Sequence, residues 1–198
     1  EQAPAILEGW YLGQETGHAI ADVIFGAGTP GGRLPITVPR SVGQIPAYYY
    51  HKPSARRGYL FTETTPLFCF GHGLSYTTFE YKNMQMSARQ IQPDGEVEVS
   101  IEVTNTGIRI GDEVVQLYIH DQVASVTRPV KKLCGFERIT LQPGETRQVT
   151  FSLGPQHFQI LGDGLQPTVE PGLFDIMVGS SSEQYLTAQL EVIPLALA

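Results

Sequence analysis

The sequence has few of the residues on which several common classes of protein depend. Among its 198 residues there are only two cysteines, three methionines and one tryptophan, and 13 basic residues are outnumbered by 20 acidic ones. The net charge of −7 argues against the basic surface that nucleic acids require and against a basic helix on a membrane surface. No apolar run approaches the roughly 20 residues that cross a bilayer. We therefore expect neither a nucleic acid nor a membrane as partner.

The scarce cysteines and histidines form no recognisable site. Cys69 and Cys134 have no spacing typical of metal ligands, and neither do the five histidines. We expect two buried free thiols, with a single long-range disulfide as the alternative, and no metal. The N-terminus lacks the basic and apolar regions of a secretion signal. It begins with Glu1 rather than Met, from which we expect a piece of a longer polypeptide.

The first third of the chain predicts an incomplete α/β unit. Residues 14–25 carry apolar side chains at helical spacing, with Thr16 as a candidate N-cap and Gly26 with Gly28 as the stop. The glycines that follow match the string of a dinucleotide fingerprint, but here the helix comes first, so we expect a turn and no cofactor. Arg33–Pro39 is predicted as an edge strand or an extended loop. One helix and one poor strand cannot bury their own apolar faces, so residues 1–60 are expected to be the remnant of a domain that lies upstream.

The remainder of the chain changes to a period of two. Apolar residues alternate with polar ones around Val97–Val103, Val115–Ile119, Val149–Leu153, Phe174–Val178 and Leu186–Val192. Between these runs lie turn sequences such as Pro93-Asp94-Gly95. About seven short strands without a helical period predict a mainly β fold, an antiparallel sandwich of the immunoglobulin or fibronectin type III kind. We expect this domain at residues 79–195, after a linker at 61–78.

An aromatic loop offers the only candidates for substrate binding. Residues 48–73 concentrate Tyr, Phe, His, Lys and Arg. Sugars stack on aromatic faces while polar groups bind their hydroxyls, so the loop could border a carbohydrate cleft. The alternative, which we favour, is a well-packed interdomain linker that covers the sandwich. The candidate substrate-binding residues in it are Tyr49, His51, Arg56 and Arg57.

Several segments resemble family 3 of the glycoside hydrolases in order and spacing. Gly9–Glu15, Ala19–Gly26, Pro30–Pro39 and Ser41–Pro46 look like the end of that family's α/β sandwich domain. Pro66–Phe79 resembles its entry into a C-terminal fibronectin-like domain, and Gly111–Tyr118, Arg128–Phe136 and Leu141–Glu145 are similar to that domain. Leu12 and Phe68-Cys69 depart from the usual residues of the family, and these departures concern packing alone.

The resemblance implies a parent enzyme that is an exo-acting, retaining β-glycosidase. Such enzymes release terminal non-reducing β-D-glucosyl or β-D-xylosyl residues from oligosaccharides or from aryl and alkyl β-glycosides, without a cofactor. In the family the Asp nucleophile lies on a (β/α)₈ barrel and the acid/base, commonly a Glu, lies on the α/β sandwich domain. Both would precede residue 1, so no catalytic residue is assigned here. We expect the 198-residue chain alone to be inactive and to brace the upstream domains.

Some expectations remain broader. The resemblance favours a periplasmic or secreted protein over a cytoplasmic one and leaves a homo-oligomer open. The alternative function is a non-catalytic sandwich that binds carbohydrate or another protein.

Overall fold

The computed structural model describes residues 3–53 and 63–195. Its first part contains a 3-10 turn at Gly13–Glu15, the helix α1 at Thr16–Ile24 and a second 3-10 turn at Val42–Gln44. The prediction of Thr16 as N-cap is wrong by one residue, because Glu15 occupies that position. The Thr16 hydroxyl instead donates to the carbonyl of Gly13 at 2.6 Å. The stop at Gly26 is confirmed, since its φ of 77° is the left-handed conformation that ends many helices.

The stretch after α1 is an extended loop rather than a strand of a sheet. The Leu34 amide donates to the carbonyl of His72 at 2.9 Å, and the Gly71 amide donates to the carbonyl of Leu34 at 2.8 Å. Val38 forms an isolated antiparallel bridge with Phe68. Of the two predicted alternatives for Arg33–Pro39, the extended loop is therefore the one found.

The rest of the described chain is a β-sandwich. Its elements, in order, are β1 (Phe79–Met86), β2 (Gln90–Ile91), β3 (Val97–Asn105), β4 (Gly111–Asp121), β5 (Lys132–Leu141), β6 (Thr146–Leu153), the short helix α2 (Pro155–Phe158), β7 (Ile160–Leu161), a 3-10 turn (Asp163–Leu165), β8 (Pro167–Thr168), β9 (Gly172–Gly179) and β10 (Tyr185–Val192).

Two sheets pack face to face. One has the strand order β1-β3-β6 and the other β2-β10-β9-β4-β5, and the small pair β7-β8 lies apart from both. The pairings are antiparallel except that of β10 with β2. The described residues form ten strands, seven of which have eight residues or more, where about seven were predicted. The predicted fold class is confirmed.

The core lies between the sheets and consists of the residues that alternate along each strand. Val97, Val99, Ile101 and Val103 of β3 are at most 1% exposed. They pack with Val115, Leu117 and Ile119 of β4, Val149 and Leu153 of β6, and Phe174, Ile176 and Val178 of β9. Burying each such side chain is worth about 1.5–3 kcal/mol, so this face supplies most of the free energy that holds the sandwich together.

The residues before the sandwich pack very differently. Helix α1 has no buried residue. The large apolar side chains that stand exposed in and around α1 are Ile6, Leu7, Trp10, Tyr11, Leu12, Ile24 and Phe25. A run of exposed apolar side chains of this size marks a surface that normally contacts another part of a protein.

Candidate functional site

A cleft of about 920 Å³ lies between the aromatic loop and two loops of the sandwich, one between β4 and β5 and one between β9 and β10. We call it the aromatic cleft. Its walls come from three parts of the chain: the loop Thr37 and Gln44–Lys52, the linker residues Thr64, Pro66, Cys69 and Phe70, and the sandwich residues Pro129, Val130, Lys131, Ser182 and Glu183.

The linker that lines this cleft is attached to the outer face of β4. Gln116, on the face of β4 turned away from the core, is 3% exposed. Its Nε2 donates to the carbonyl of Ser180 at 2.6 Å and to the carbonyl of Gly71 at 3.3 Å. The buried Tyr118 hydroxyl donates to Gln116 Oε1 at 2.5 Å. The Gln116 amide thus connects the linker to the sandwich. Separating the two would leave a buried amide group without hydrogen-bond partners, which would destabilise the fold.

Tyr49 lines the cleft, but most of its groups are used in packing. Its ring stacks on Phe70 at 4.3 Å between centroids and meets Tyr118 edge-on at 5.8 Å. Its hydroxyl accepts a hydrogen bond from the Leu133 amide at 3.3 Å, and burial raises the pKa of that hydroxyl. This arrangement holds the loop against β5.

His51 also lines the cleft and is anchored through its backbone. Its carbonyl accepts from the Val130 amide at 3.0 Å, and its Nδ1 lies 3.0 Å from the carbonyl of Lys52. The other two candidates, Arg56 and Arg57, lie outside the described residues.

The residues best placed to meet a ligand are neighbours of the candidates. Tyr48 and Tyr50 stack on each other at 5.3 Å with an interplanar angle of 28°, and they are 55% and 48% exposed. The run Tyr48-Tyr49-Tyr50 was visible in the sequence. A run without a period, however, does not indicate which of its rings turn toward the linker and which toward solvent.

Polar groups of the sandwich form the opposite wall. Lys131 is 9% exposed; its Nζ donates to the carbonyl of Ser182 and to the Tyr185 hydroxyl at 3.3 Å and lies 3.5 Å from a Glu183 carboxylate oxygen. Within the described ranges, Ser182 Oγ and Thr37 Oγ1 are buried and have no hydrogen-bond partner. Unsatisfied hydroxyls of this kind are unusual, because buried polar groups are nearly always paired.

A buried ion pair outside the cleft also joins the residues that precede the sandwich to the sandwich itself. Arg33 Nη2 donates to Glu113 Oε2 at 2.6 Å, and the Tyr81 hydroxyl donates to Glu113 Oε1 at 3.0 Å. The side chains of Arg33 and Glu113 are 8% and 2% exposed. Burial raises the pKa of Glu113, and the Arg33 guanidinium and the Tyr81 hydroxyl oppose that rise. Burial together with Arg33 lowers the pKa of His72, which stacks on Phe68 at 5.2 Å.

The early carboxylates lie on the surface of the described chain. Glu8, Glu15, Asp22 and Glu63 are all exposed, and Glu63 forms a surface ion pair with Arg40 at 3.0 Å. Among the described residues no cluster of His, Cys, Asp and Glu could hold a metal ion. In the same residues, no helix has the length and apolar character needed to span a bilayer.

Both cysteines are free thiols, as expected, but they are only partly buried. Cys134 Sγ lies 3.5 Å from the carbonyl of Lys132. Burial raises the pKa of the Cys134 thiol to about 11. A thiol in this state is a poor nucleophile at neutral pH, so Cys134 is a packing residue.

Comparison with known proteins identifies both parts of the chain. Residues 1–76 match the glycosyl hydrolase family 3 C-terminal domain, and residues 113–182 match the fibronectin type III-like domain. A β-xylosidase of Formosa agariphila is 51% identical over 187 residues, a match that covers 92% of this chain and 26% of that protein. The chain belongs to glycoside hydrolase family 3.

Other family 3 proteins agree with this placement. A periplasmic β-glucosidase of Salmonella typhimurium is 45% identical over 204 residues, which is 98% of this chain and 27% of that protein. The solved structure of a β-glucosidase from Erythrobacter marinus superposes with a TM-score of 0.90 at 45% identity, over 93% of this chain and 24% of that one. The family 3 chain described here therefore spans about a quarter of the length of these relatives. The resemblance seen in the sequence is confirmed.

Proposed function

We propose that this chain is the C-terminal brace of an exo-acting, retaining β-glycosidase. The whole protein would hydrolyse terminal non-reducing β-D-glucosyl or β-D-xylosyl linkages, with its two catalytic carboxyl groups in the part of the protein outside this chain. A retaining mechanism needs these groups about 5–5.5 Å apart. The names of the relatives, β-xylosidase and β-glucosidase, support the substrate class.

The observation that carries the bracing role is the buried ion pair between Arg33 and Glu113. Arg33 belongs to the segment that matches the family 3 C-terminal domain, and Glu113 belongs to the sandwich. Removing one partner of such a pair leaves a buried charge without compensation. The hydrogen bond from Gln116 to Gly71 adds a second tie between the same two parts. The proposal takes residues 1–60 as the α/β remnant, 61–78 as the linker and 79–195 as the sandwich.

The exposed apolar side chains at Ile6–Leu12 and at Ile24 and Phe25 support an additional layer over this segment. We propose that the remainder of the α/β domain, together with the barrel, covers it. In this proposal, the segment is the surface through which the brace contacts the catalytic domains.

The activity is tested by hydrolysis of the p-nitrophenyl β-D-glucoside and β-D-xyloside. We expect the whole protein to release p-nitrophenol from at least one of them and the 198-residue chain to release none above buffer. Activity of the chain alone, or none in the whole protein, would contradict the proposal. The ratio of the two rates also establishes which of the two sugars is preferred.

The alternative of an independent binding module is less well supported. A sandwich that acted alone would leave Glu113 without Arg33 and Gln116 without the carbonyl of Gly71. Retention of the isolated sandwich by insoluble glucan or xylan would favour the module, and its absence would favour the brace.

We also propose a periplasmic or secreted location, supported by the periplasmic β-glucosidase among the relatives. Fractionation of the source cells, with detection of the protein in each fraction, tests this directly. Recovery in the cytoplasm would contradict it.

A further inference from the structure

We infer that the loop between β3 and β4, residues 106–110, forms one contact surface with the carboxyl-terminal end of α1. This surface, which we call the α1–loop surface, binds the part of the α/β domain that lies outside this chain. The sandwich then contacts that domain directly, as well as through the linker. The inference rests on the proposed function, because it needs the whole protein, and it adds a contact made by the sandwich itself.

Two side chains hold the loop and the linker against the end of α1. Arg109 Nη1 donates to the carbonyl of Gly26 at 3.2 Å, and the Tyr76 hydroxyl donates to the carbonyl of Val23 at 2.8 Å. The Arg109 guanidinium also lies 5.9 Å from the centroid of the Tyr76 ring. The last carbonyls of a helix have no partner within it and carry a partial negative charge. A cation and a hydroxyl that bind them therefore fix the helix relative to the loop.

The residues next to these contacts are apolar and exposed. At the end of α1, Ile24 and Phe25 are 62% and 86% exposed. On either side of Arg109, Ile108 and Ile110 are 91% and 47% exposed. Because Arg109 reaches the helix end, both apolar pairs lie at that end of α1. Large apolar side chains gathered on a surface normally mark a contact with another part of a protein.

The occupant that fits this surface is the remaining layer of the α/β domain. Helix α1 has no buried residue, although an amphipathic helix is stable only when its apolar face packs on another element. Residues 1–76 match the family 3 C-terminal domain, and the chain spans about a quarter of the length of its relatives. The charge of Arg109 is compensated by the helix end. The surface that remains is therefore apolar, as the interior of an α/β domain requires.

The test is the rate at which the thiol of Ile108→Cys reacts with N-ethylmaleimide in the whole protein, read by peptide mass spectrometry. We expect it to react about tenfold or more slowly than in the same protein unfolded in urea, because a covered thiol reacts only when the contact opens. Val123→Cys is the matched control. Val123 follows the other end of β4 and is 80% exposed, so its variant should react at nearly the unfolded rate.

Two changes at Arg109, each combined with Ile108→Cys, examine how the loop is held. Arg109→Met removes the cation at the end of α1, and we expect the rate to rise about fivefold through the lost charged hydrogen bond. Arg109→Lys keeps a cation there and should restore most of the protection. Arg147→Met removes an arginine of β6 that forms a surface ion pair with Glu145, and it should leave the rate unchanged.

Three results would overturn the inference. They are reaction of Ile108→Cys at the unfolded rate, protection of Val123→Cys as strong as that of Ile108→Cys, and protection that disappears on dilution, which would assign the surface to a second copy of the protein. Aryl glycoside hydrolysis, measured on the same preparation, reports separately on the proposed function. A protected thiol without hydrolysis would refute the enzyme and leave the α1–loop surface standing, and hydrolysis without protection would do the reverse.

Discussion

Each end of β4 buries a carboxyl group, and the arginines that pair with these two groups come from different parts of the chain. Glu113 near its start and Asp121 at its end both lie on the core-facing side of the strand, and both are buried. Glu113 is paired with Arg33, 80 positions earlier in the chain. Asp121 is paired with Arg128, only seven positions later, whose Nη1 donates to Asp121 Oδ2 at 3.0 Å and to the carbonyl of Phe158 at 2.8 Å.

The difference shows how a buried charge can decide which parts of a chain must fold together. Burial raises the pKa of both carboxyls, and in each case an arginine opposes the rise. The end at Asp121 is completed within the sandwich. The end at Glu113 is completed only when the segment matched by the family 3 C-terminal domain is in place. The sandwich therefore supplies the cation for the buried carboxyl group at one end of β4, and at the other end it requires a cation from the preceding segment.

The largest expected effect is that of Arg33→Met, which leaves Glu113 buried without a cation. We expect a loss of about 3–5 kcal/mol in the free energy of unfolding at pH 7, measured by urea denaturation of the whole protein. An unchanged midpoint and slope would contradict the dependence of this end on the preceding segment.

The pH dependence of that loss follows from the pKa of Glu113. Without Arg33, the folded pKa rises further above the unfolded value. Between the two pKa values, the folded state binds a proton at Glu113 that the unfolded state lacks. The contribution of Glu113 to the free energy of unfolding is therefore greatest below the unfolded pKa, and it is lost as the pH rises through the folded pKa. The loss caused by Arg33→Met should therefore be smaller at pH 5 than at pH 7. A loss that grows toward acid pH would contradict this assignment.

Arg128→Met is the matched change at the other end, and we expect a smaller loss of about 2–4 kcal/mol. The Arg128 side chain is more exposed than that of Arg33, 15% against 8%, so water can partly replace it. Limited proteolysis should show cleavage near residues 122–130 with the linker still protected. Cleavage of the linker in this variant would remove the distinction between the two ends.

Gly71→Ala tests the second tie between linker and sandwich. Gly71 has a φ of 80°, and a Cβ there would overlap the Gln116 side chain. The left-handed backbone costs about 1–2 kcal/mol for a residue with a side chain, and displacement of Gln116 adds to it. We expect a loss of about 2 kcal/mol by thermal or urea unfolding. Gly144→Ala is the control, because it has the same positive φ but no atom within 4 Å of its Cβ, so the excess of one loss over the other measures the tie.

The smallest expected effect is that of Tyr81→Phe, which removes one of the donors to Glu113. A single hydrogen bond is worth about 1 kcal/mol, and Arg33 remains in place. Asp121 has no tyrosine partner of this kind among the described residues, so the change refines the comparison at one end only. If Tyr81→Phe lowered the free energy of unfolding by more than Arg33→Met does, Tyr81 rather than Arg33 would be the main partner of the carboxylate.

The sandwich could be predicted from the sequence because its strands obey a simple geometric rule. Where one face is buried, as along β3, every second residue is apolar and the period is visible. Strand β5 was not predicted, because it is an edge strand on which much of the surface stays exposed and its alternation is weak. The covered outer face of β4 was also hidden, since Gln116 and Tyr118 read as ordinary surface residues until the linker is placed over them.

The site was less predictable because it is assembled from distant parts of the chain. The sequence indicated the loop and two of the residues that line the cleft, Tyr49 and His51. It could not indicate that the ring of Tyr49 stacks on Phe70 while the rings of Tyr48 and Tyr50 remain exposed. Nor could it show that Lys131 and Ser182, which are 51 positions apart, lie side by side in the lining of the same cleft. Such information exists only once the sheets have paired.

The raised pKa of the partly buried Cys134 thiol has a practical consequence for labelling. With a pKa of about 11, only about one molecule in a thousand carries the thiolate at pH 8. The thiolate is the nucleophile that attacks maleimide dyes and thiol-specific spin labels, so these reagents will react slowly at this position. With Cys69, the other free thiol, replaced, a cysteine introduced on the solvent-facing side of β10 could carry one fluorophore. A second fluorophore on the catalytic domains would then make the separation of brace and catalytic domains observable by energy transfer.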